Sequence, residues 1–442
     1  MSISPPRADR VALLGFGVEG AATLRALRRW GFAGRVSVLD DGARPEGLDP
    51  EVTWEPARDA SLADVDLLIK TPGIKPSHPA WQRCLALGLP FTTATNLYLA
   101  KAREAGLTVV GVTGSKGKST SASLLHRALL AAGRGAALVG NIGHPALDAL
   151  DDVLERRAVT VFEMSSYQCS TLVEGPELAL VTNLFPEHLD WHGDVETYYA
   201  DKLRIATTQR AGDRLVWNAA NAQLRARVGQ VRSEARGFNV EGGWRVAEGG
   251  FARPGRALSS DGMLLRGAHN RENACGVLTA LELLGVDARH GVEALRGFAG
   301  LPHRLEDLGA HGGVRWVNDS ISTAPEAAVA ALEAYSGEVA SLIMGGFDRG
   351  YDFTPLAHAV RASGLAALAA LAPSGPRLLE LLEGSDVETT LAADLDEAVR
   401  WIAARTPPGR TCVFSPASPS YGRYRDFIER GEHLRGLVAA LG

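Results

Sequence analysis

A glycine-rich turn at residues 114–120 carries the clearest chemical signal in this sequence. The run "VVGVTGSKGKSTSASLLHRALL" predicts a buried strand, a turn and a helix. Glycines let backbone N–H groups curl around phosphate oxygens, and the helix directs its positive end at the same place. Lys118 can reach terminal phosphates, and the Ser119 hydroxyl can ligate Mg²⁺. We therefore predict that a nucleotide triphosphate binds this turn through Gly114, Ser115, Lys116, Gly117, Lys118, Ser119 and Thr120.

The spacing of this turn departs from the common phosphate-loop pattern. Counting back from Gly117, the expected first glycine position holds Val112, and the chain has Gly114 instead. A turn that only caps a helix is the alternative interpretation. The strand before the turn and the helix after it favour phosphate binding.

A second glycine motif, "LLGFGVEG" at residues 13–20, spells G-x-G-x-x-G. An apolar run precedes it, a helix-like stretch follows, and Asp40 and Asp41 end the next predicted strand. Taken alone, this pattern predicts a nicotinamide-dinucleotide site with Asp40 on the ribose. An NAD-dependent dehydrogenase is therefore an alternative function, although it leaves the triphosphate turn without a role.

Acidic and imidazole side chains follow two further predicted strands. Glu163 follows "AVTVF", and the segment "NLFPEHLDWHG" after the next strand contains His188 and His192. Ligands of open α/β sheets bind at the carboxyl ends of strands, so Glu163 and His188 are the better metal candidates. His192 is equally consistent with a surface histidine, and composition alone favours a surface position for Lys202.

The elements that would position these residues alternate along the chain. Apolar, β-branched runs alternate with Ala/Leu-rich amphipathic stretches, which predicts an α/β fold with parallel sheets. We divide the chain into three blocks, 1–104, 105–304 and 305–442. Within the second block, residues 231–266 are rich in Gly and Arg, and we predict irregular β structure or a loop there.

Composition excludes several functional classes. The net charge of −5 argues against a nucleic-acid partner, and no apolar run approaches the roughly 18 residues of a membrane span. The first residues, "MSISPPRADR", lack the pattern of a signal peptide. The four cysteines are far apart, which argues against a metal cluster or a disulfide framework. We expect a cytoplasmic protein with reduced thiols, no membrane partner and a monomeric state.

Several short motifs occur in a characteristic order along the whole chain. They are "LLGFGVEG", "TPGI", "VTGSKGKST", "GNIG", "FEMSSYQ", "PEHLDWHG", "YYADKLRI", "GAHNRENA", "LPHR", "VNDS" and "SPASPSYGRYRDFIERG". With these motifs the chain closely resembles the Mur ligases, above all their glutamate-adding type. The resemblance implies a Rossmann-like N-terminal domain for UDP, a central phosphate-loop ATPase-type domain and a Rossmann-like C-terminal domain for the amino acid.

The resemblance also implies a reaction. Mur ligases build the stem peptide of peptidoglycan, the bacterial cell-wall polymer, in the cytoplasm. A member of the glutamate-adding type joins glutamate to UDP-N-acetylmuramoyl-L-alanine. ATP first converts the terminal carboxylate into an acyl phosphate, which the amino group of glutamate then attacks. ATP and Mg²⁺, at two sites, are the implied cofactors.

Roles for individual residues follow from the matching motifs. Ser119 and Glu163 are implied to hold one Mg²⁺, and His188 to help hold a second. Lys202 matches a carbamylated lysine that also accepts Mg²⁺, which contradicts its interpretation as a surface lysine. Together with Lys118, these residues and Asn141, near the reacting carboxylate and phosphate, would form the catalytic set.

The remaining contacts with ATP and with the UDP group are implied in the same way. Asn270 and Asn273 match adenine contacts, and Arg304 and Asp319 match groups at the ATP phosphate and ribose. The UDP-bearing substrate would contact the N-terminal block through Gly15, Gly17, Val18, Glu19, Gly20, Asp40, Asp41, Thr71, Pro72 and Gly73.

The amino-acid site departs from the pattern of the family. A lysine expected after "DS" is replaced by Ile321, which removes a charge-assisted contact of about 1.5–3 kcal/mol. A second expected lysine is replaced by Arg349, whose guanidinium binds carboxylates as a fork. The implied pocket residues are Thr323, Arg349, Ser420, Tyr421 and Phe427. Because the cation for the carboxylate has moved, we favour L-glutamate over D-glutamate as the amino acid added.

Three alternatives stay open at this point. The first is the dehydrogenase described above. The second is another ligase of similar build, such as an alanine-adding or diaminopimelate-adding enzyme or a folylpolyglutamate synthase. The third is a nucleotide-binding regulator without enzymatic activity, which the complete set of metal candidates argues against.

Overall fold

The computed structural model describes residues 6–442, which form two compact units. The first unit contains residues up to Gly262 together with His269–Leu295, and the second contains Met263–Ala268 together with Arg296–Gly442. The strands of both units belong mostly to parallel sheets. The predicted α/β fold is therefore confirmed.

The N-terminal part of the first unit is a parallel sheet with strand order β3-β2-β1-β4-β5. Its strands are β1 (Arg10–Leu14), β2 (Arg35–Leu39), β3 (Thr53–Glu55), β4 (Leu67–Lys70) and β5 (Phe91–Thr92). Its helices are α1 (Val18–Arg29), α2 (Pro79–Ala86) and α3 (Ala94–Glu104). Strand β1 reads as a continuous apolar run because side chains on both of its faces are buried.

The central part of the first unit is a second parallel sheet, with order β11-β10-β9-β6-β8-β7. Its strands are β6 (Val109–Thr113), β7 (Ala136–Gly140), β8 (Val159–Glu163), β9 (Leu178–Val181), β10 (Arg214–Asn218) and β11 (Glu234–Phe238). The helices among and after them are α4 (Lys118–Ala131), α5 (Ala146–Arg156), α6 (Ser166–Cys169), α7 (Leu189–His192), α8 (Val195–Thr207) and α9 (Ala222–Arg227).

The segment 231–266 is more regular than the sequence predicts. After β11 it forms a small antiparallel sheet of β12 (Arg245–Ala247), β13 (Gly250–Arg253) and β14 (Arg256–Ser259). Its strands are short, and burial alternates irregularly along them, which is why periodicity missed them. Helices α10 (Ala268–Leu283) and α11 (Arg289–Arg296) follow.

The second unit contains a mixed sheet with order β15-β16-β20-β17-β18-β19, in which only the β15–β16 pair is antiparallel among the described strands. Its strands are β15 (Glu306–His311), β16 (Val314–Asn318), β17 (Val339–Gly345), β18 (Ala367–Leu371), β19 (Glu388–Ala392) and β20 (Thr411–Phe414). Its helices are α12 (Pro325–Ala334), α13 (Thr354–Ser363), α14 (Gly375–Leu381), α15 (Leu395–Ala403) and α16 (Phe427–Ala439).

Side-chain caps determine where α8 and α16, two helices that carry candidate site residues, begin. Asp194 accepts a hydrogen bond from the backbone N of Thr197 at 2.8 Å and starts α8, which carries Lys202. Asp426 accepts one from the backbone N of Glu429 at 2.9 Å and starts α16. Such caps satisfy N–H groups that have no partner inside the helix.

The hydrophobic core of the first unit is continuous between its N-terminal and central sheets. One cluster of buried side chains extends from Val11 in β1 through Tyr98 in α3 to Leu150 in α5 and Leu224 in α9. The second unit has its own clusters, drawn from residues 305–441. The domain boundaries at 104/105 and 304/305 stay predictions. No helix in residues 6–442 combines the length and apolar character needed to cross a membrane.

Candidate active site

The turn between β6 and α4 has a backbone that only glycine can adopt at two positions. Gly114 has φ +152°, and a Cβ atom there would lie 1.8 Å from Oγ1 of Thr182. Gly117 has φ +80°, and its Cβ would lie 2.4 Å from Nδ2 of Asn273. Helix α4 begins directly afterwards at Lys118. The turn therefore presents a helix N-terminus on a tightly packed loop, the arrangement that binds phosphate.

Hydrogen bonds from β9 and α8 hold the turn in place. The backbone N of Lys116 donates to Oδ1 of Asn183 at 2.8 Å, and the backbone N of Ser115 donates to the carbonyl of Asn183 at 3.0 Å. The hydroxyls of Ser115 and Tyr198 lie 2.8 Å apart. The loop is thus organised before any ligand binds, so little ordering is needed on binding.

Glu163 lies beside this turn because β8 is the neighbour of β6, with Val112 paired to Glu163. Its side chain is fully buried. Oε1 accepts hydrogen bonds from Oγ of Ser119 and from Nδ2 of Asn141, both at 3.1 Å. Oε2 is buried and has no hydrogen-bond partner among the described residues. A buried carboxylate oxygen without a partner is costly, and a divalent cation would compensate that cost.

Lys202 is buried on α8, so the surface position that composition favours is wrong. Its Nζ donates to the carbonyl of Gly114 at 3.0 Å and lies 5.1 Å from the centre of the Tyr198 ring. Burial and, after it, the nearby charge of Lys118 lower the pKa of Lys202 to about 7. At neutral pH a large share of this amine is therefore uncharged and nucleophilic.

His188 lies at the start of α7, with φ +55°. Burial lowers the pKa of its imidazole, and the charges of Lys118 and Lys202 act in the same direction while Glu187 opposes them. A neutral imidazole is the form that binds a metal ion. The structure thus places the charges of His188, Lys118 and Lys202 close enough to interact.

His192 is buried. The interpretation as a surface histidine, which the sequence allowed equally well, is therefore wrong. Its Nδ1 lies 2.7 Å from Oδ2 of Asp201, and its Nε2 lies 3.0 Å from Oγ of Ser166. Through Asp201, the residue before Lys202, the imidazole contacts α8, and through Ser166 it contacts α6, the helix that follows Glu163 in the chain. His192 therefore supports the two elements that carry the candidate metal ligands.

The predicted metal ligands are mixed in type. Within residues 6–442, no group of three or more His, Cys, Asp or Glu side chains could hold a metal ion. The predicted set contains two such residues, Glu163 and His188, together with the Ser119 hydroxyl and the Lys202 amine. An amine becomes a carboxylate-like ligand only after carbamylation, so the set is complete only with that modification.

The adenine-side residues lie at the N-terminal part of α10. Asn270 and Asn273 are both buried there. The Asn273 side chain packs against Gly117, as the contact with a hypothetical Cβ shows. Both asparagines thus belong to the same unit as the phosphate turn. Their role toward adenine stays a prediction.

The first glycine motif forms a tight strand-to-helix turn between β1 and α1. Gly15 has φ +91°, and a Cβ there would lie 2.1 Å from Oγ1 of Thr71. A Cβ at Gly20 would lie 2.4 Å from the carbonyl oxygen of Gly15. Gly17 precedes the first turn of α1 in open space, and Gly73 is exposed near Thr71. This geometry suits a diphosphate at the helix N-terminus.

The two aspartates predicted at the UDP site are engaged in local hydrogen bonds. Oδ2 of Asp40 accepts from the backbone N of Phe16 at 2.7 Å, and Oδ1 accepts from the backbone N of Gly42 at 2.7 Å. Asp41 accepts from the backbone N of Arg58 at 3.0 Å. Asp40 thus holds the glycine turn. Both of its carboxylate oxygens already accept backbone hydrogen bonds, so a ribose hydroxyl, as in a dehydrogenase, would have to share these oxygens with the backbone.

Glu19 in α1 connects the glycine turn with the central sheet. Its Oε1 accepts a hydrogen bond from Nε2 of Gln168 at 2.7 Å. Burial raises the pKa of Glu19 to about 7, and the Gln168 contact and the charge of Lys70 oppose that rise. Its neighbour Val18 is exposed, as a ligand contact requires, and Pro72 is half-buried.

In the second unit, Asp319 is hydrogen-bonded to the backbone of the residue that follows Arg304. Oδ1 of Asp319 accepts from the backbone N of Leu305 at 3.2 Å, and Oδ2 accepts from Oγ of Ser415 at 2.8 Å. Burial raises the pKa of Asp319 to about 6, against the effects of Ser415 and Arg304. Nε of Arg304 is buried without a hydrogen-bond partner among residues 6–442.

The predicted amino-acid residues lie on loops at the carboxyl ends of β16, β17 and β20 and at the start of α16. The guanidinium of Arg349 lies 5.8 Å from the centre of the exposed Tyr421 ring. Ser420 is buried, Thr323 is exposed, and the carbonyl of Phe427 accepts a hydrogen bond from Ser320. Arg349 and Tyr421 are therefore brought together, as a carboxylate-binding pocket would need.

Comparison with known proteins identifies the family. A family model described as the Mur ligase middle domain matches residues 112–281. The UDP-N-acetylmuramoyl-L-alanine--L-glutamate ligase of Xanthomonas euvesicatoria is 38% identical over 455 residues, covering 99% of this chain and 97% of that protein. The ligase of the same name from Salinispora tropica is 37% identical and covers 98% of each chain.

The chain belongs to the Mur ligase family. This membership confirms the expected class of enzyme, an ATP-dependent, peptide-bond-forming ligase of peptidoglycan precursor synthesis, over the dehydrogenase and regulator alternatives.

Solved Mur ligase structures share the fold. MurC from Thermotoga maritima superposes with a TM-score of 0.62 at 17% identity and covers 98% of this chain and 99% of its own. MurF from Thermotoga maritima, in complex with ADP, superposes with a TM-score of 0.63 at 16% identity, covering 97% and 94%. The predicted architecture of Rossmann-like and phosphate-loop domains is thus the Mur ligase architecture.

Sequence reasoning missed several residues that organise the Mur ligase site. Asn183 and Tyr198 hold the phosphate turn, Gln168 bonds Glu19, and Ser415 bonds Asp319. Ser415 follows β20 directly, and Asn183 lies two residues after the end of β9. Their position at the ends of predicted strands was therefore a signal that could have identified them. Tyr198 and Gln168 act through long-range contacts that carry no local signal.

Proposed function

We propose that this chain forms the amide bond between UDP-N-acetylmuramoyl-L-alanine and L-glutamate, with conversion of ATP to ADP and phosphate, in the cytoplasm. The observation that carries the proposal is the buried Glu163 beside Ser119, with one carboxylate oxygen lacking a partner among the described residues. The Xanthomonas and Salinispora relatives bear the name of that reaction over nearly the full length of this chain.

The chemistry begins with activation of a carboxylate, which is a poor acyl donor because its leaving group would be oxide. A carboxylate oxygen of the muramoyl-alanine attacks the γ-phosphorus of ATP, and ADP leaves. The glutamate amine then attacks the acyl carbon and loses a proton, and inorganic phosphate leaves with the C–O electron pair. Lys118 and the N-terminus of α4 offset the charge of the two anions that meet, and Asn141 orients them.

Mg²⁺ would fit the group of polar side chains at this turn. Ser119 and Glu163 would hold one ion, which the buried, unpartnered Oε2 of Glu163 supports. His188, as a neutral imidazole, would help hold a second together with carbamylated Lys202. The ions supply charge neutralisation of the phosphate oxygens.

The surroundings of Lys202 support its carbamylation. The amine is buried, and its pKa of about 7 leaves a lone pair available at neutral pH. That lone pair attacks the carbon of CO₂ to form an N–C bond, and a proton leaves to solvent. The product carries a negative charge, which exchanges an unfavourable buried ammonium near Lys118 for an anion that both Lys118 and Mg²⁺ attract.

The substrate's two ends would be bound by different parts of the chain. The diphosphate would lie at the glycine turn between β1 and α1, with Thr71 beside it. The carboxylates of L-glutamate would be received near Arg349, Ser420 and Tyr421 in the second unit. The apolar side chain of Ile321 leaves Arg349 as the cation that selects the enantiomer.

An enantiomer-resolved assay tests the proposal. Purified protein is incubated with UDP-N-acetylmuramoyl-L-alanine, ATP and Mg²⁺, with L-glutamate or D-glutamate in separate reactions, and product is measured by mass. We expect robust turnover with L-glutamate only. Turnover with D-glutamate alone would overturn the choice of enantiomer, and no turnover with either would overturn the proposed reaction. Reactions with L-alanine and diaminopimelate serve as controls for a different ligase type.

A further inference from the structure

Arg430 is a buried cation beneath the loops of the second unit. It lies on α16 and is 2% exposed. Its Nε donates to Oγ of Ser320 at 3.1 Å, its Nη2 donates to the carbonyl of Ser320 at 2.7 Å, and its Nη1 donates to the carbonyl of Ser418 at 3.0 Å. Hydrogen bonds from a charged donor are stronger than neutral ones, so this guanidinium holds both serines firmly.

These contacts join the ends of three neighbouring strands. Ser320 follows β16, and Ser418 follows β20, which lies between β16 and β17 in the sheet. After β17, a Cβ at Gly346 would lie 3.1 Å from Nη1 of Arg430 and 2.6 Å from the carbonyl of Pro419. The guanidinium therefore lies under the carboxyl ends of β16, β20 and β17, the edge at which sheets of this kind bind ligands.

The charge of Arg430 is not matched by a direct ion pair. Its hydrogen bonds go to a hydroxyl and two carbonyl oxygens, and within residues 6–442 no carboxylate forms a salt bridge with it. Burial lowers its pKa to about 10, against the charges of Tyr424 and Asp319, so the group stays protonated at neutral pH. The charge of Asp319 and the three oxygens that accept the hydrogen bonds of Arg430 compensate this buried guanidinium, so its contacts with the two loops are costly to break.

The same loops carry the residues predicted to receive the amino acid. Ser320 lies three residues before Thr323, and Ser418 lies two residues before Ser420. Ser320 also donates through Oγ to the carbonyl of Phe427 at 2.8 Å. The guanidinium thus reaches both pocket loops through their backbones, while its own side chain stays buried.

We propose that Arg430 is a positioning residue for the amino acid: it fixes the loops after β16 and β20 relative to each other, and with them the residues on those loops that receive glutamate. The proposal rests on the proposed function. It assigns the affinity for the amino acid to a side chain that does not touch it. Acyl-phosphate formation draws its phosphate turn and metal candidates from the first unit and only Arg304 and Asp319 from the second, so it depends on Arg430 less than the binding of glutamate does.

Steady-state kinetics of Arg430→Met and Arg430→Lys test the proposal. Methionine keeps most of the volume and removes the charge and the donors, whereas lysine keeps the charge and loses the fork. We expect the KM for L-glutamate to rise roughly 10- to 100-fold in Arg430→Met, as for loss of charged hydrogen bonds, and less in Arg430→Lys. The KM for UDP-N-acetylmuramoyl-L-alanine and single-turnover acyl-phosphate formation without glutamate should stay within about twofold.

The matched control is Arg435→Met on the same helix. Arg435 pairs with Glu306 and Glu432 at the surface, so its loss should leave every kinetic constant near the wild-type value. If Arg430→Met does not fold, Ser320→Ala, which removes one contact of the guanidinium, should raise the KM for L-glutamate in the same direction by a smaller factor.

Two results would overturn the role of Arg430. One is a folded Arg430→Met with an unchanged KM for glutamate. The other is an equal loss of acyl-phosphate formation and glutamate addition, which indicates a general structural role. The wild-type arm reports separately on the proposed function: if wild-type protein uses D-glutamate instead, that enantiomer replaces L-glutamate in the variant assays. An Arg430→Met that folds and binds D-glutamate or L-glutamate as tightly as wild type counts against the proposal in either case.

Discussion

Buried charges dominate the chemistry at the scale of single residues. Glu163 lies inside the protein with only one carboxylate oxygen bonded by described residues, and Lys202 lies inside with its ammonium facing a carbonyl. Each arrangement costs free energy in the absence of a compensating group. The cost is the physical reason to expect a divalent cation at Glu163 and a covalent modification at Lys202.

The buried amine of Lys202 makes stability depend on pH. Its pKa in the folded protein is about 7, below the ordinary 10.5, so the unfolded chain binds more protons between these values. Stability therefore rises as pH increases from 7 toward 10. In CO₂-free buffer, urea unfolding at pH 7.0 and pH 9.5 should show a larger gain for wild type than for Lys202→Met.

Carbamylation of Lys202 can be measured directly. With ¹³C-bicarbonate, wild type should show a carbamate carbon signal that Lys202→Met lacks, and Lys101→Met, which changes a lysine paired with Glu104, should keep it. An equal rise of stability with pH in wild type and Lys202→Met would contradict the buried neutral amine. Normal ligase activity in Lys202→Ala, unaffected by bicarbonate or formate, would contradict the role of the carbamate.

At the scale of elements, the chemistry depends on turns at the carboxyl ends of parallel strands. The turn after β6 ends in a left-handed glycine, and the next strand along the sheet, β8, ends in Glu163. Helix α8 then brings Lys202 to the carbonyl of Gly114. None of these elements holds the site alone, because each supplies one group to a shared edge.

Gly117→Ala tests the close packing of the phosphate turn. The added methyl group meets the Asn273 side chain, and the positive φ is strained for alanine. Gly133→Ala is the matched control, since Gly133 has φ +70° with nothing within 4 Å of a Cβ. We expect each variant to lose roughly 1–2 kcal/mol of stability from the backbone term, and only Gly117→Ala to lose ATP affinity more than tenfold. Calorimetric titration of ATP and urea unfolding measure the two effects. Equal ATP affinity in both variants would show that the Asn273 side chain moves away from the added methyl group without disturbing the ATP site.

At the scale of the whole molecule, the hydrophobic clusters do not follow the division into sheets. Residues of the N-terminal and central sheets share one hydrophobic cluster, which α5 helps to build by packing against α1 and α3. The clusters of the second unit use residues 305–441 alone. Cooperative unfolding follows the burial of shared apolar surface, so the N-terminal and central sheets should unfold together.

Separate fragments test this division. Residues 296–442 expressed alone should unfold in one cooperative urea transition, because their core is self-contained. Residues 1–104 alone should be much less stable, because they lose the partner side chains of α5, including the pairing of Arg25 with Asp148 at 2.5 Å. A fragment 1–104 as stable as the first unit in the intact chain would contradict the shared core.

Much of the fold could be predicted from local patterns. The alternation of apolar strands and amphipathic helices predicted the α/β class, and the runs before Gly15 and Gly114 correctly placed two strand-to-helix turns. For the segment of β12–β14 the sequence predicted only irregular β structure or a loop, because such short strands carry little periodic signal. Lys202 and His192 were ambiguous for a related reason: a single polar residue on a helix does not reveal which face is buried.

The sequence by itself determined the residue types and the order of motifs, and these carried the class of nucleotide-dependent ligase. Only the tertiary structure decided which groups meet: Ser119 with Glu163, Lys202 with Gly114 and Arg430 with Ser320 and Ser418. Those partners are separated by 12 to 110 residues along the chain, yet they meet at the carboxyl-end edges of the sheets. Parallel strands must be joined by long crossovers, so the order of strands in the sheet, which no local pattern encodes, sets which strand ends become neighbours.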